Sequence, residues 1–278
     1  MDINTLVSED YTSNLRPITE PEIGVSIAVN QRLKRERDVL SQFGRMSALG
    51  YAIYVNGCGN DYDILRVLLE AGGDPNSNAR IGIADSKVRY ADPDTIPKNT
   101  AMATPLLLAI EHKDIGMLEL LVERGADVNK PASQGLHYTP LQLACKLGSL
   151  EKVEFLLQRG ADVRAGPSLA HGGTALQMAA QAGNIKIAQL LLDNGATVHE
   201  APSRAHGRTA FEGAAEMGRI TMLQFLWERA CPRGFEQAEV ERARKFAEKE
   251  GHGGCVQFIE LLLIIVGGAT PRLSPGPM

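Results

Sequence analysis

The residues that could do chemistry are few. His137, His171 and His206 recur 34 and 35 residues apart, and three imidazoles brought together are what a zinc site needs. Zinc holds its ligands within about 2.1 Å, whereas packed helical layers lie about 8–10 Å apart, so histidines set one per layer are too distant to share an ion. Their expected role is hydrogen bonding between adjacent loops. Gly57-Cys58-Gly59 has the look of a phosphate loop, but no strand precedes it and no Lys-Ser or Lys-Thr follows. Cys58, Cys145, Cys231 and Cys255 form no Cys-x-x-Cys pair and are expected to be reduced thiols. No Ser-His-Asp order, paired carboxylate motif or His-Glu-x-x-His is found. The sequence therefore predicts no metal, no cofactor and no enzyme activity.

What must position any functional side chain is a repeat. Thr104-Pro105-Leu106-Leu107-Leu108-Ala109 returns as Thr139-Pro140-Leu141-Gln142-Leu143-Ala144, Thr174-Ala175-Leu176-Gln177-Met178-Ala179 and Thr209-Ala210-Phe211-Glu212-Gly213-Ala214, each 35 residues after the last. Such a period signals stacked supersecondary units that cover one another's apolar faces. Within one unit, Thr139 can cap a helix and Pro140 fits its first turn. Leu141, Ala144 and Cys145 fall on one helical face. Gly148 ends this helix, Ser149 caps a second, and Val153, Leu156 and Leu157 form the second apolar stripe before Gly160 stops it. The small Ala144, Ala179 and Ala214 let successive pairs approach closely. Two short helices are marginal alone, so each pair depends on its neighbours.

Thr-Pro-Leu-x-x-Ala followed by Leu-Leu-x-x-Gly-Ala-Asp-Val resembles an ankyrin repeat. The pattern is met at 104–129, 139–164 and 174–199, more loosely at 209–229, and at 49–76 mainly through Leu65–Asn76. The wording of the later units is similar to ankyrin arrays of filamentous fungi. The resemblance implies an all-α solenoid of stacked helix-turn-helix units with projecting loop fingers. The family's His after Thr-Pro-Leu is here Leu107, Gln142, Gln177 and Glu212, so its bond to the next loop must be taken over, by Gln where present, or lost. The family's Asn at the end of a unit is kept as Asn76 and Asn129 and becomes Arg164 and His199, which leaves those turns less defined.

The chain then reads as a flexible arm at 1–20, an N-terminal capping helix at 21–45 and an ankyrin-repeat domain at 46–266. That domain contains repeats at about 46–76, 104–129, 139–164, 174–199 and 209–229 and a capping helix pair at 235–266. A disordered tail follows at 267–278. The helix at 21–45 carries Arg32, Lys34, Arg35 and Arg37, read as a solvated face because Glu36 and Asp38 dilute it. Between Asn76 and Thr104 the spacing grows from ten residues to 28. In this 77–103 insert, alternation at Ile81 and Ile83 and again at Val88 and Tyr90, around Asp85-Ser86-Lys87, predicts a small β-hairpin. It serves either as a recognition arm or as a tolerated surface insertion. Leu261–Val266 is longer than a cap requires; it packs on the last repeat or meets another chain.

The totals fit a folded protein, with 44% hydrophobic, 22% charged and only 5% aromatic residues. A net charge of −4 gives no long-range attraction for nucleic acid or anionic lipid, so neither nucleic acid nor membrane is expected as a partner. The start, Met1-Asp2-Ile3-Asn4, has no basic and apolar signal pattern, and the longest apolar run is too short to span a bilayer. A cytoplasmic or nuclear monomer is expected. By the resemblance, the partner-facing positions are Tyr138, Gly173 and Arg208 on the fingers, Leu108, Leu143 and Met178 along the first helices, and Lys146, Gln181, Glu216 and Met217 beyond them. Leu108, Leu143 and Met178 can equally pack against neighbouring helices. The leading function is a non-enzymatic module or scaffold that binds a partner protein in its concave groove. The alternative is an enzyme, or an essential enzyme subunit, with its site under the 77–103 insert.

Overall fold

The computed structural model describes residues 48–55, 62–77, 79–81, 101–112, 114–132, 136–168, 172–204, 207–231 and 234–267. The expected arm at 1–20, capping helix at 21–45, Gly57-Cys58-Gly59, His171 and His206 lie outside them, as does all but the first residue of the expected 267–278 tail. The chain divides into two compact units, Met1–Pro140 and Leu141–Met278.

The first unit holds helices α1 (Ala48–Val55), α2 (Asp63–Glu70), α3 (Pro105–Glu111) and α4 (Gly116–Glu123), with α1 packed on α2 and α3, and α3 on α4. Leu49, Ile53, Leu65, Leu106, Ile110, Leu118 and Leu121 are its most buried side chains. Two short strands, β1 (Ala79–Ile81) and β2 (Ala101–Ala103), pair antiparallel, with Ala79 opposite Ala103 and Ile81 opposite Ala101. The partner of β1 is the segment directly before Thr104. The expected turn at 85–87 and strand at 88–90 lie outside the described residues. Directly after the ladder, Thr104 Oγ1 accepts the Leu107 N–H at 3.2 Å.

The second unit contains α5 (Pro140–Leu147), α6 (Leu150–Gln158), α7 (Ala175–Ala182), α8 (Ile185–Asp193), α9 (Ala210–Glu216), α10 (Ile220–Ala230), α11 (Gln237–Lys249) and α12 (Gly253–Gly267). Helix α7 packs on α8 and α9, α8 on α6, α9 on α10 and α11, and α12 on α10 and α11. The looser repeat at 209–229 thus forms a full helix pair, and the capping pair is present as α11 and α12. Ala144, Ala179 and Ala214 are each 0% exposed, as close approach between layers requires. The α-to-α turns are made by Gly148, Gly183 and Gly218, with φ of 71°, 78° and 68°, a region costly for residues with a Cβ.

Caps begin the first helices. Thr174 and Thr209 each accept the N–H three residues on, and Gln177 and Glu212 return the bond to the Thr N–H at 3.0 and 3.1 Å. At the second helices the sequence expectation needs correcting. Ser149 occupies the cap position of α6 but makes no side-chain cap bond, whereas Asn184 at the same place in the next repeat accepts the Ile187 N–H at 3.2 Å. The longer amide side chain also reaches back to the Gly148 carbonyl at 3.2 Å, which a serine is too short to do. Thr174→Ala is expected to cost about 1 kcal/mol, the usual value of a lost N-cap, read as a lower urea midpoint by circular dichroism.

Candidate functional site

Buried polar side chains tie the finger loops to the first helices. Gln142, 0% exposed, donates from Nε2 to the carbonyls of Ala165 and Gly166, both at 3.0 Å. One repeat on, Gln177 donates to the carbonyls of Glu200 and Ala201 at 3.0 and 3.2 Å. Gln therefore takes over the loop bond expected of His. Glu212, next in the series, is a carboxylate and cannot donate to a carbonyl when ionised. It turns instead to Arg242 on α11, whose Nε lies 2.6 Å from Oε1. Glu239 stands beside this pair. Burial pushes its carboxyl above the ordinary value and the Glu212 charge adds to that, while the Thr209 hydroxyl and Arg242 oppose.

The end-of-unit turns are equally specific. Asp74, Asp127 and Asp162 accept the N–H two residues on, at 2.8, 2.8 and 2.9 Å. In the first unit, Asn76 donates to the Gly125 carbonyl at 3.0 Å and accepts the Asp127 N–H at 2.7 Å. In the second, Arg164 holds the matching carbonyl, Gly195, at 2.8 Å. Its guanidinium substitutes for the family's Asn as donor. His199 does not; its ring lies edge-on to Phe235, with centroids 5.4 Å apart.

A loop motif missed in the sequence joins successive fingers. Pro167-Ser168 with Gly172, and Pro202-Ser203 with Gly207, repeat 35 residues apart. Ser203 Oγ donates to the Ser168 carbonyl at 2.9 Å. A Cβ on Gly207 would lie 2.3 Å from Ser203 N, and one on Gly172 would lie 2.6 Å from Ser168 N. Only glycine lets each loop fold that tightly on its own backbone. Gly207→Ala is expected to lose about 1–3 kcal/mol of stability, as overpacking does. Gly166→Ala, whose Cβ would meet open space, is expected to stay within about 0.5 kcal/mol in the same urea titration.

Several expected partner-facing residues are engaged within the chain. In the first unit, Tyr138 is half-buried beside the exposed His137 and Leu108 is buried. In the second, Leu143 and Met178 are buried, and a Cβ on Gly173 would lie 2.4 Å from Met178 Cε, so the thioether covers that finger position. Leu108, Leu143 and Met178 are thus buried. Arg208 and Glu216 form a bidentate pair at 3.0 and 3.1 Å, and the Arg208 guanidinium lies 3.9 Å above the Phe246 ring. That arrangement braces a finger against α11. Lys146 is exposed, and so are Leu147 at 50%, Met217 at 45% and Ile220 at 37%. Leu147 and Ile220 were not singled out in the sequence. The signal available was their place beside the glycine turns, in columns that stay apolar through Leu147, Ala182 and Met217 and through Leu150, Ile185 and Ile220.

A shallow depression of about 320 Å³ opens between two fingers, bordered by Arg164, Pro167, Thr174, Thr197 and Glu200. Of its two threonines, Thr174 accepts the Gln177 N–H through its hydroxyl, and Thr197 donates its backbone N–H to Glu200 at 3.2 Å. Among the described residues no three His, Cys, Asp or Glu side chains converge as metal ligands. Cys145, Cys231 and Cys255 are free thiols, and burial pushes the Cys145 thiol far above its ordinary value, away from nucleophilic use. No helix among the described residues is long and apolar enough to cross a membrane. For α12, burial falls on Cys255, Ile259 and Leu262, while Leu261 is 60% exposed.

Paired helices in layers, with loops tied layer to layer, define a helical repeat protein. The family model of ankyrin repeats matches residues 91–167 and 165–234, together more than half of the 278-residue chain. The chain belongs to the ankyrin-repeat family, an all-α solenoid class whose members generally serve as protein–protein interaction modules. No curated protein matches the chain.

Proposed function

We propose that this protein is a non-enzymatic interaction module that holds a partner protein on the open face of its second unit, along the ends of the first helices. The observation that carries this reading is where the exposed apolar side chains fall. Among the described residues four large apolar side chains are exposed, and three of them, Leu147, Met217 and Ile220, border the glycine turns of that unit. Exposed apolar groups that cluster, rather than scatter, mark interaction surfaces.

The test is affinity capture from the native lysate with the intact chain, with Met217→Glu, and with 82–100 replaced by a two-residue turn that keeps the β1–β2 ladder. Partners retained by the intact chain and lost with Met217→Glu are the expected result. A partner set that is indifferent to Met217→Glu removes this face as the site. The third protein reports whether the insert adds to recognition.

A further inference from the structure

The apolar columns beside the turns suggest the shape of what they bind. Leu147, Ala182 and Met217 form one column, and Leu150, Ile185 and Ile220 the other, in three successive repeats of the second unit. Leu150, Ala182 and Ile185 are half-buried, so each of the three repeats keeps an apolar side chain partly at the surface. The glycine turns between the columns are braced across repeats, by Asn184 on the Gly148 carbonyl at 3.2 Å and by Arg219 on the Gln181 carbonyl at 3.3 Å. The strip is therefore pre-ordered.

Charge around it is one-sided. Lys186 and Arg219, each adjoining a strip residue in sequence, are exposed. Glu151 is the exposed acid at the border, while Glu216 is already paired with Arg208. A chain of net charge −4 thus surrounds this strip with an excess of cations.

Length sets the partner's form. Layers of packed helices are about 8–10 Å apart, so two steps from Leu147 to Met217 span about 16–20 Å. An α-helix with apolar residues at i, i+4, i+7 and i+11 presents a stripe about 16 Å long at 1.5 Å per residue. Building on the binding-module reading above, we propose that the partner segment is an amphipathic helix of about four turns. It lies along this strip, with acidic residues flanking its apolar stripe to meet Lys186 and Arg219. Met217, unbranched and adaptable, suits a seat for such side chains.

The experiment is selection of a displayed library of four-turn helices, with a fixed apolar stripe and randomised flanks, on the full chain. Enrichment of Asp and Glu in the flanks is expected. Individual selected peptides should lose at least about tenfold in affinity against Leu147→Glu or Met217→Glu, the scale of one anchoring contact, and should weaken as salt rises. Circular dichroism and melting of both variants are compared with the parent, so that loss of fold is not read as loss of binding. Flanks enriched in Lys or Arg, no enrichment, or binding indifferent to both variants overturns the proposal. If lysate partners are lost with Met217→Glu while the library gives one of those results, the helix assignment fails and the interaction face stands. If the lysate partners also ignore that substitution, the face itself is wrong.

Discussion

Phe211→Ala is expected to remove about 3–5 kcal/mol of stability, the range for truncating a fully buried aromatic side chain. Phe211 is 0% exposed and is the largest fully buried side chain among the described residues. Its ring stands 4.4 Å from that of Phe235 and 6.4 Å from that of Trp227. The preceding repeats carry Leu141 and Leu176 at this position. The larger ring belongs where α9 meets α10 and α11, because the ordinary Ala-Asp-Val turn is replaced there and Phe235 fills the gap. In a stack whose layers contact only their neighbours, such damage is local first. The chain's one tryptophan, Trp227, reports it. Its emission should change at a lower urea concentration than the far-ultraviolet dichroism of the whole chain. Phe211→Leu, which restores the residue of the earlier repeats, should cost less, about 1.5 kcal/mol or under, if the site can repack. Unaltered Trp227 emission in Phe211→Ala would mean that the aromatic cluster does not hold the last layers together.

The layers were legible in the sequence because their signals are local and periodic. Threonine caps, glycine turns and leucine spacing each depend on residues within one turn of helix, and they recur often enough to reinforce one another. The substitution of Gln for His was legible too, since the side chain that must reach a loop carbonyl needs only a donor of suitable length. What the sequence did not disclose depends on neighbours from other elements. Leu143 and Met178 read as groove-facing from their helix position, yet both are buried, and Met178 lies against the Gly173 finger. Arg208 and Glu216 read as partner contacts, yet they satisfy each other over Phe246, which comes from a helix 30 residues on. The strand at 101–103 carries no alternation of large and polar residues, so only its partner shows it to be a strand. Leu147 and Ile220 were hidden for the opposite reason. Apolar residues beside a repeat's turn look like core until the burial of each is known.

Gln177→Leu should cost roughly 2–4 kcal/mol, and the argument rests on how many polar groups one side chain satisfies. Gln177 is 1% exposed. Its Nε2 serves the carbonyls of Glu200 and Ala201, and its Oε1 accepts the Thr174 N–H at 3.0 Å. Leucine nearly preserves the volume, so the cavity contribution is small and the loss comes from the loop carbonyls and the cap N–H left without their partner. Each buried group so orphaned costs about 1–3 kcal/mol, reduced where water can reach the loop. Gln142→Leu repeats the experiment one layer earlier, on the carbonyls of Ala165 and Gly166, and should give a loss of similar size. Gln177→Glu separates hydrogen bonding from shape. The new carboxylate would face two carbonyls with no equivalent of Arg242 to hold it, so its pKa should rise and its penalty should shrink as pH falls and the acid form becomes a donor. Urea midpoints for the three proteins, with Gln177→Glu followed across the carboxylate range, decide the matter. Losses under about 0.5 kcal/mol, the scale of a neutral surface change, would mean that the fingers are positioned by packing and that the buried amides are incidental.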